Sequence, residues 1–127
     1  MGDVKVWIPH TQRFLYPDVM VIAGQPEYYA NRKDAITNPL VIVEVLSNST
    51  QEYDRGNKFR YYRRLPSFNE YILISQYEFL VEQYTKTSEY EWRISYKERS
   101  GTMLELISFP FQIALADIYN KVDFEEE

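Results

Sequence analysis

The sequence predicts an α/β domain in which one helix lies across a mixed β-sheet and a β-meander follows. Three observations point there. Residues 40–46, LVIVEVL, are the most apolar segment of the chain. The run is β-branched, short and without alternation, which reads as a central strand buried on both faces. Asp54, Lys58, Tyr61, Tyr62 and Leu65 then follow the i, i+4, i+7, i+8, i+11 spacing of an amphipathic helix's inward stripe. From residue 71 onward, strand-like runs alternate with turn residues.

The elements follow in order. Val4, Val6 and Ile8 alternate with Lys5 and Trp7, a period-2 strand closed by Pro9. Residues 10–13 are polar and turn-like. Pro17-Asp18 opens a second apolar run, Val19 to Ile22, ended by Gly24. Residues 25–38 carry Pro26, Asn31 and Asn38-Pro39 and read as a loop, long enough to be functional or mobile. After the central strand, Ser49-Thr50-Gln51-Glu52 fits a capping box, and the helix should run to about Leu65 because Pro66 disfavours helix just before it. Gly56 inside that helix costs about 1 kcal/mol relative to Ala, which implies a close backbone approach. Strands are expected at 71–74 and 79–84, joined at Ser75-Gln76 as a tight hairpin, and then near 91–96 and 103–107. A short helix should occupy 111–122, and Glu125-Glu126-Glu127 reads as a solvated acidic end.

Composition narrows the chemistry. The 127 residues, 45% of them hydrophobic, suffice for one core, so residues 1–127 are expected to form a single domain. With no Cys there is no disulfide framework, thiol nucleophile or Cys-ligated metal site. The lone His10 excludes His-paired metal motifs and leaves little for a Ser-His-Asp triad. No apolar stretch approaches the ~20 residues of a membrane span, and no signal-peptide pattern opens the chain, so a cytoplasmic location without membrane association is the expectation. Any catalysis must come from carboxylates, Lys/Arg and Tyr. The net charge of −5 is unlike that of most nucleic-acid binders, so a phosphate ligand would need a local basic patch.

Glu44 is the most informative residue. An ionised carboxylate inside a buried strand costs several kcal/mol unless a raised pKa, a cation or a positive neighbour answers it. Buried acids more often mark a site than not. The alternative is a structural acid at the strand's end, paired with an Arg. Asp18 alone is an ordinary Pro-Asp turn residue. Beside Glu44 it would complete an oxygen-rich pair suited to Mg2+ or Mn2+. Asp54 and Lys58 lie on the inward stripe of the helix, or else form a plain i, i+4 surface pair. Arg55, Arg60, Arg63 and Arg64, with Lys58, cluster on one helix with no acid from Arg55 onward. They are candidate phosphate contacts, or solvated cations favoured by the helix dipole. The twelve Tyr could stack bases, although strand and core positions explain most of them.

Pro17-Asp18, Glu44-Val45-Leu46-Ser47, Asp54 and Lys58, and then Pro66 and Glu70-Tyr71 form an ordered series across nearly the whole chain. This series resembles the restriction-endonuclease-like domain family abundant in some bacteria, a branch of the PD-(D/E)xK nuclease superfamily. The resemblance implies a restriction-endonuclease-like mixed sheet and metal-dependent hydrolysis of DNA phosphodiesters. Asp18 and Glu44 would be catalytic metal ligands for Mg2+ or Mn2+, with the main-chain carbonyl of Val45 as a further ligand. The pattern's lysine position holds Leu46. Lys58 is the candidate to replace it, with Asp54 supporting it from one turn earlier.

Relatives of this kind begin with one or two helices before the first strand, whereas Met1-Gly2-Asp3 leads straight into it. The expectation is therefore a shortened domain with a sheet face exposed, or a homodimer that covers that face. The rival functional expectation is a catalytically silent nuclease-fold module that binds nucleic acid or a protein partner.

Overall fold

The computed structural model describes residues 4–122 and 124. The expected solvated end, Glu125-Glu126-Glu127, and the leading Met1-Gly2-Asp3 lie outside the described residues. In chain order the strands are β1 (Lys5–Ile8), β2 (Arg13–Leu15), β3 (Val19–Val21), β4 (Ala35–Ile36), β5 (Val41–Leu46), β6 (Glu70–Ser75), β7 (Val81–Ser88), β8 (Glu91–Lys97), β9 (Met103–Glu105) and β10 (Gln112–Ala114). The helices are α1 (Gln51–Arg55), α2 (Asn57–Tyr62) and α3 (Leu115–Ile118).

A five-stranded mixed sheet, ordered β3-β5-β6-β7-β8, is the frame. β5 and β6 run parallel, with α1 and α2 as the crossover between them, and every other pairing in this sheet is antiparallel. The fold is thus the expected α/β arrangement, a mixed sheet with helix across it and a meander after it. It differs from the expectation of one sheet, because β2-β1-β4 and β9-β10 form two smaller sheets.

Each face of the frame carries its own core. On the helix side Ile42, Leu46, Tyr71, Leu73 and Tyr84 pack with Phe59, Tyr62, Leu65 and Phe68, and β1 and β2 add Val6, Ile8 and Leu15. On the other face Val41, Ile72 and Val81 pack with Leu104, Leu115 and Tyr119. This explains the unbroken apolar run of β5, whose residues face a core on each side in turn. Burial on both faces holds only for the first part of that strand, because Val45 is 41% exposed.

Local departures have local causes. β2 and β4 are too short to leave a period in the sequence. β2 exists because the turn after Pro9, with Gln12 at φ 51°, folds Phe14 back against Trp7. β4 lies inside the expected loop and pairs parallel with β1. The β6–β7 connection spans residues 76–80 and is not a two-residue turn. Tyr119 Oη sits within hydrogen-bonding distance of the Ser75 and Leu80 carbonyls and bridges the wider opening. The expected capping box does not form: Thr50 is the N-cap without a side-chain capping bond, and the Ser47 hydroxyl bonds those of Ser49 and Thr50. The expected C-terminal helix is divided between β10 and the single-turn α3.

Gly56 breaks the expected long helix into α1 and α2, at φ −105° and ψ −100°. Its N–H donates to the Glu52 carbonyl at 2.9 Å, and a Cβ built there would meet the same oxygen at 3.0 Å. The close approach inferred from the sequence is therefore to the helix's own preceding turn. The break lets α1 rest on β6, where Tyr71 Oη donates to the Asp54 carbonyl at 2.8 Å, while α2 turns its Phe59 ring flat onto Tyr71. Gly56→Ala should destabilise the protein by about 1 kcal/mol in urea unfolding, because the oxygen it crowds is already held by a hydrogen bond. Stabilisation by that substitution would show that the break is not enforced by this contact.

Candidate active site

β5 carries Glu44 on the helix-facing side, and β3 pairs antiparallel with Val19 opposite Val43. That register puts Asp18 beside Glu44 just past the last paired rung. The two segments clasp each other there. The Asp18 N–H donates to Glu44 Oε1 at 3.1 Å, and Asp18 Oδ2 accepts the Val45 N–H at 2.7 Å.

Above the sheet, the stripe read from the sequence delivers the remaining groups. Lys58 Nζ lies 2.8 Å from Glu44 Oε2 and 3.8 Å from Asp54 Oδ1, and donates to the Tyr16 carbonyl at 3.1 Å. Glu44 and the Tyr16 carbonyl thus take two of the ammonium's three donors, and Asp54 acts on it at longer range through its charge. Tyr62 Oη, one turn further on, donates to Glu44 Oε2 at 3.2 Å. Glu44, Asp54 and Lys58 are all buried. The structure thus brings Asp18, Glu44, Asp54 and Lys58 together, with the Val45 backbone at the edge of the cluster. Leu46 belongs to the core, and the cation beside Glu44 comes from α2.

Burial is the largest influence on Glu44 and raises its pKa from 4.5 to about 7 against the pull of Lys58. Burial also raises Asp54, again opposed by Lys58. The Tyr62 hydroxyl is pushed well above the ordinary tyrosine range by burial and by Glu44, so it stays a hydrogen-bond donor.

The donor set suits a hard divalent cation in one specific way. Two carboxylates, Asp18 and Glu44, stand side by side with the Val45 peptide, and all are oxygen donors of the class Mg2+ and Mn2+ prefer. Among the described residues no three acidic or histidine side chains are grouped to hold a metal ion. An ion here would therefore keep much of its water, as Mg2+ commonly does when one or two carboxylates bind it. The residues fit a partly hydrated ion and not a closed protein cage.

The arginines separate by environment. Arg55 is taken up by Glu82, whose carboxylate receives its Nε at 3.0 Å, and by Gln51 at 2.8 Å. Arg60, Arg63 and Arg64 are exposed, with the Arg63 guanidinium 5.0 Å from the Phe59 ring centroid. Three participants escaped the sequence reading. Glu82 had the same signal as Glu44, an acid within an apolar strand. Tyr62 was visible only as a core residue, since its ring packs while its hydroxyl serves Glu44. The Tyr16 carbonyl leaves no sequence trace.

The linkage at Glu44 has a definite sign. Between pH 4.5 and about 7 the unfolded chain has lost this proton while the folded chain retains it. Glu44 therefore makes stability decline as pH rises through that window and level off above it. Lys58→Met removes the opposing charge and should destabilise the protein by about 3 kcal/mol at pH 8 and much less at pH 5, where Glu44 is neutral. Urea unfolding of both proteins at the two pH values measures this. An equal loss at both would show that Glu44 does not carry the effect.

Comparisons with known proteins agree with this fold. The model of the Uma2 family, described as "Putative restriction endonuclease", matches residues 1–116. Two uncharacterized proteins of Synechocystis sp. are similar. One is 41% identical over 95 residues, covering 75% of this chain and 54% of the relative. The other is 36% identical over 123 residues, covering 97% of this chain and 63% of the relative. The chain thus spans between half and two thirds of the curated relatives it matches. A crystal structure from Anabaena variabilis, described as "a putative nuclease belonging to DUF820", superimposes with a TM-score of 0.73 at 13% identity, over 94% of this chain and 66% of that one. That likeness is one of fold, and the fold is restriction-endonuclease-like. With its fold, its ordered acidic series and a family match over most of its length, this chain belongs to the Uma2 family.

Proposed function

We propose that this chain is a Mg2+- or Mn2+-dependent endonuclease that hydrolyses phosphodiester bonds of DNA. The observation that carries the reading is the buried Glu44–Lys58 pair, clasped to Asp18 at the end of β5. A stability role alone does not account for it, because burying such a pair is often no better than packing apolar residues there. Asp18, Glu44 and the Val45 carbonyl would hold the ion. A bound ion would supply Lewis-acid stabilisation of the phosphate's developing charge and a lower pKa for water.

The chain's own residues do the rest. Lys58, fixed by Tyr16 and Asp54 as well as by Glu44, orients the attacking water toward phosphorus. The water oxygen bonds to phosphorus and one bridging P–O bond breaks. The water's proton leaves to solvent, and the departing oxygen takes one up. Tyr62 holds Glu44 in place, while Arg60, Arg63 and Arg64 offer exposed cations to the backbone beyond the scissile bond. A second reading, a nuclease-fold module that binds nucleic acid without cutting it, is favoured by the missing third acid among the described residues.

Nicking of supercoiled plasmid in Mn2+ separates the two. The nuclease reading predicts conversion to open circles that stops on chelation. Glu44→Gln and Asp18→Asn should abolish it, and Tyr62→Phe should slow it about tenfold by loosening a metal-ligating carboxylate. Cleavage that persists with chelator, or in Glu44→Gln, would overturn the reading.

A further inference from the structure

Away from Glu44, a groove of about 550 Å³ opens between the end of α2 and the β7–β8 hairpin, lined by Arg63, Arg64, Pro66, Lys86, Tyr90 and Trp92 and by one acid, Glu89. Its place in the fold is distinct from the acidic cluster. The Lys86 N–H bonds the Asn69 carbonyl just before β6 begins, whereas Glu44 pairs with Leu73 well along that strand. The groove therefore lies toward the opposite end of the sheet.

Its chemistry runs against that of the molecule as a whole. The chain carries a net charge of −5, yet three cations and one acid line this groove. Among the described residues none of the three cations is in an ion pair. Arg63 lies over the Phe59 ring, and Trp92 packs its ring against Phe59 and Phe68, so this wall is tied to the core. Tyr90 is the opposite case. It sits in the hairpin turn, 87% exposed, the most exposed large hydrophobic side chain described. No core need explains an aromatic ring there.

We propose that this groove binds a single strand of nucleic acid, with phosphates on Arg63, Arg64 and Lys86 and an unpaired base stacked on Tyr90. Cations that track a backbone beside an exposed aromatic ring are what single strands require, because every base offers a π-face and only an unpaired one is free to stack. A duplex would use the cations and leave Tyr90 idle. The inference rests on the nuclease reading only in taking a polynucleotide as the ligand, and it needs neither metal nor cleavage.

Fluorescence anisotropy with a labelled short oligothymidylate, in chelator, tests it. The intact protein should bind this probe more tightly than a duplex of equal length. Tyr90→Ala should weaken single-strand binding about tenfold and leave duplex binding unchanged. Arg64→Ala with Lys86→Ala should flatten the log–log salt dependence by roughly 1.4, the share of two phosphate contacts on a single strand. Circular dichroism confirms that these surface variants are folded. No binding by folded wild type, or binding that all the variants retain, would overturn the proposal. Equal affinity for duplex and single strand with no effect at Tyr90 would overturn it too. Single-strand binding by a chain that cuts nothing in Mn2+ would support the groove while removing the nuclease reading.

Discussion

The carboxylate of Glu44, set into a packed face beside the Lys58 ammonium, is the constraint around which the helix side of this molecule is arranged. Left unanswered, such a charge would cost several kcal/mol. It is answered by one backbone N–H from the residue before β3 and by one ammonium and one hydroxyl from α2. The N–H requires β3 to lie antiparallel along β5 in a single register. The ammonium requires α2 to start directly over the end of β5, and the hydroxyl requires α2 to continue for a further turn. Sheet order, the parallel β5–β6 crossover and the break at Gly56 all serve these placements.

The same constraint divides the molecule's charges. Near β5 carboxylates outnumber cations, which suits a hard metal ion. A second buried acid, Glu82, lies across Leu73 from Glu44 on the same face and is satisfied by Arg55 from α1. On the opposite face Glu70 is held by Gln83 and by the N–H groups of Ile107 and Ser108, with no cation among the described residues paired to it. This carboxylate fastens the segment after β9 to the frame. The buried acids thus share one physical problem and resolve it differently. Glu44 differs from Glu70 and Glu82 in having a second acid, Asp18, directly beside it.

What the sequence reveals follows from how long each signal is. β5 and the inward stripe of α1 and α2 extend over enough residues to show a pattern, and that pattern placed Glu44, Asp54 and Lys58 correctly on inward faces. Asp18 was legible only through its company, since Pro-Asp alone is an ordinary turn. β2, β4 and β10 have two or three residues each, and they exist because neighbouring strands supply partners. The break at Gly56 was legible as an anomaly, although its direction was not. Tyr62 and the Tyr16 carbonyl are tertiary facts. A residue that packs its ring and lends its hydroxyl looks, in sequence, like one that only packs.

The central claim is that Asp18 and Glu44 form a divalent-cation site whose geometry Lys58 maintains. Calorimetric titration of Mn2+ into the folded protein, alongside Glu44→Gln, tests it without any assumption about substrate. The account predicts saturable binding near one ion per chain at pH 8, weakening as the pH falls below about 7 because Glu44 takes up a proton, and lost in the variant. A folded wild-type protein that binds no Mn2+ at pH 8, or a Glu44→Gln protein that binds it equally well, would contradict it.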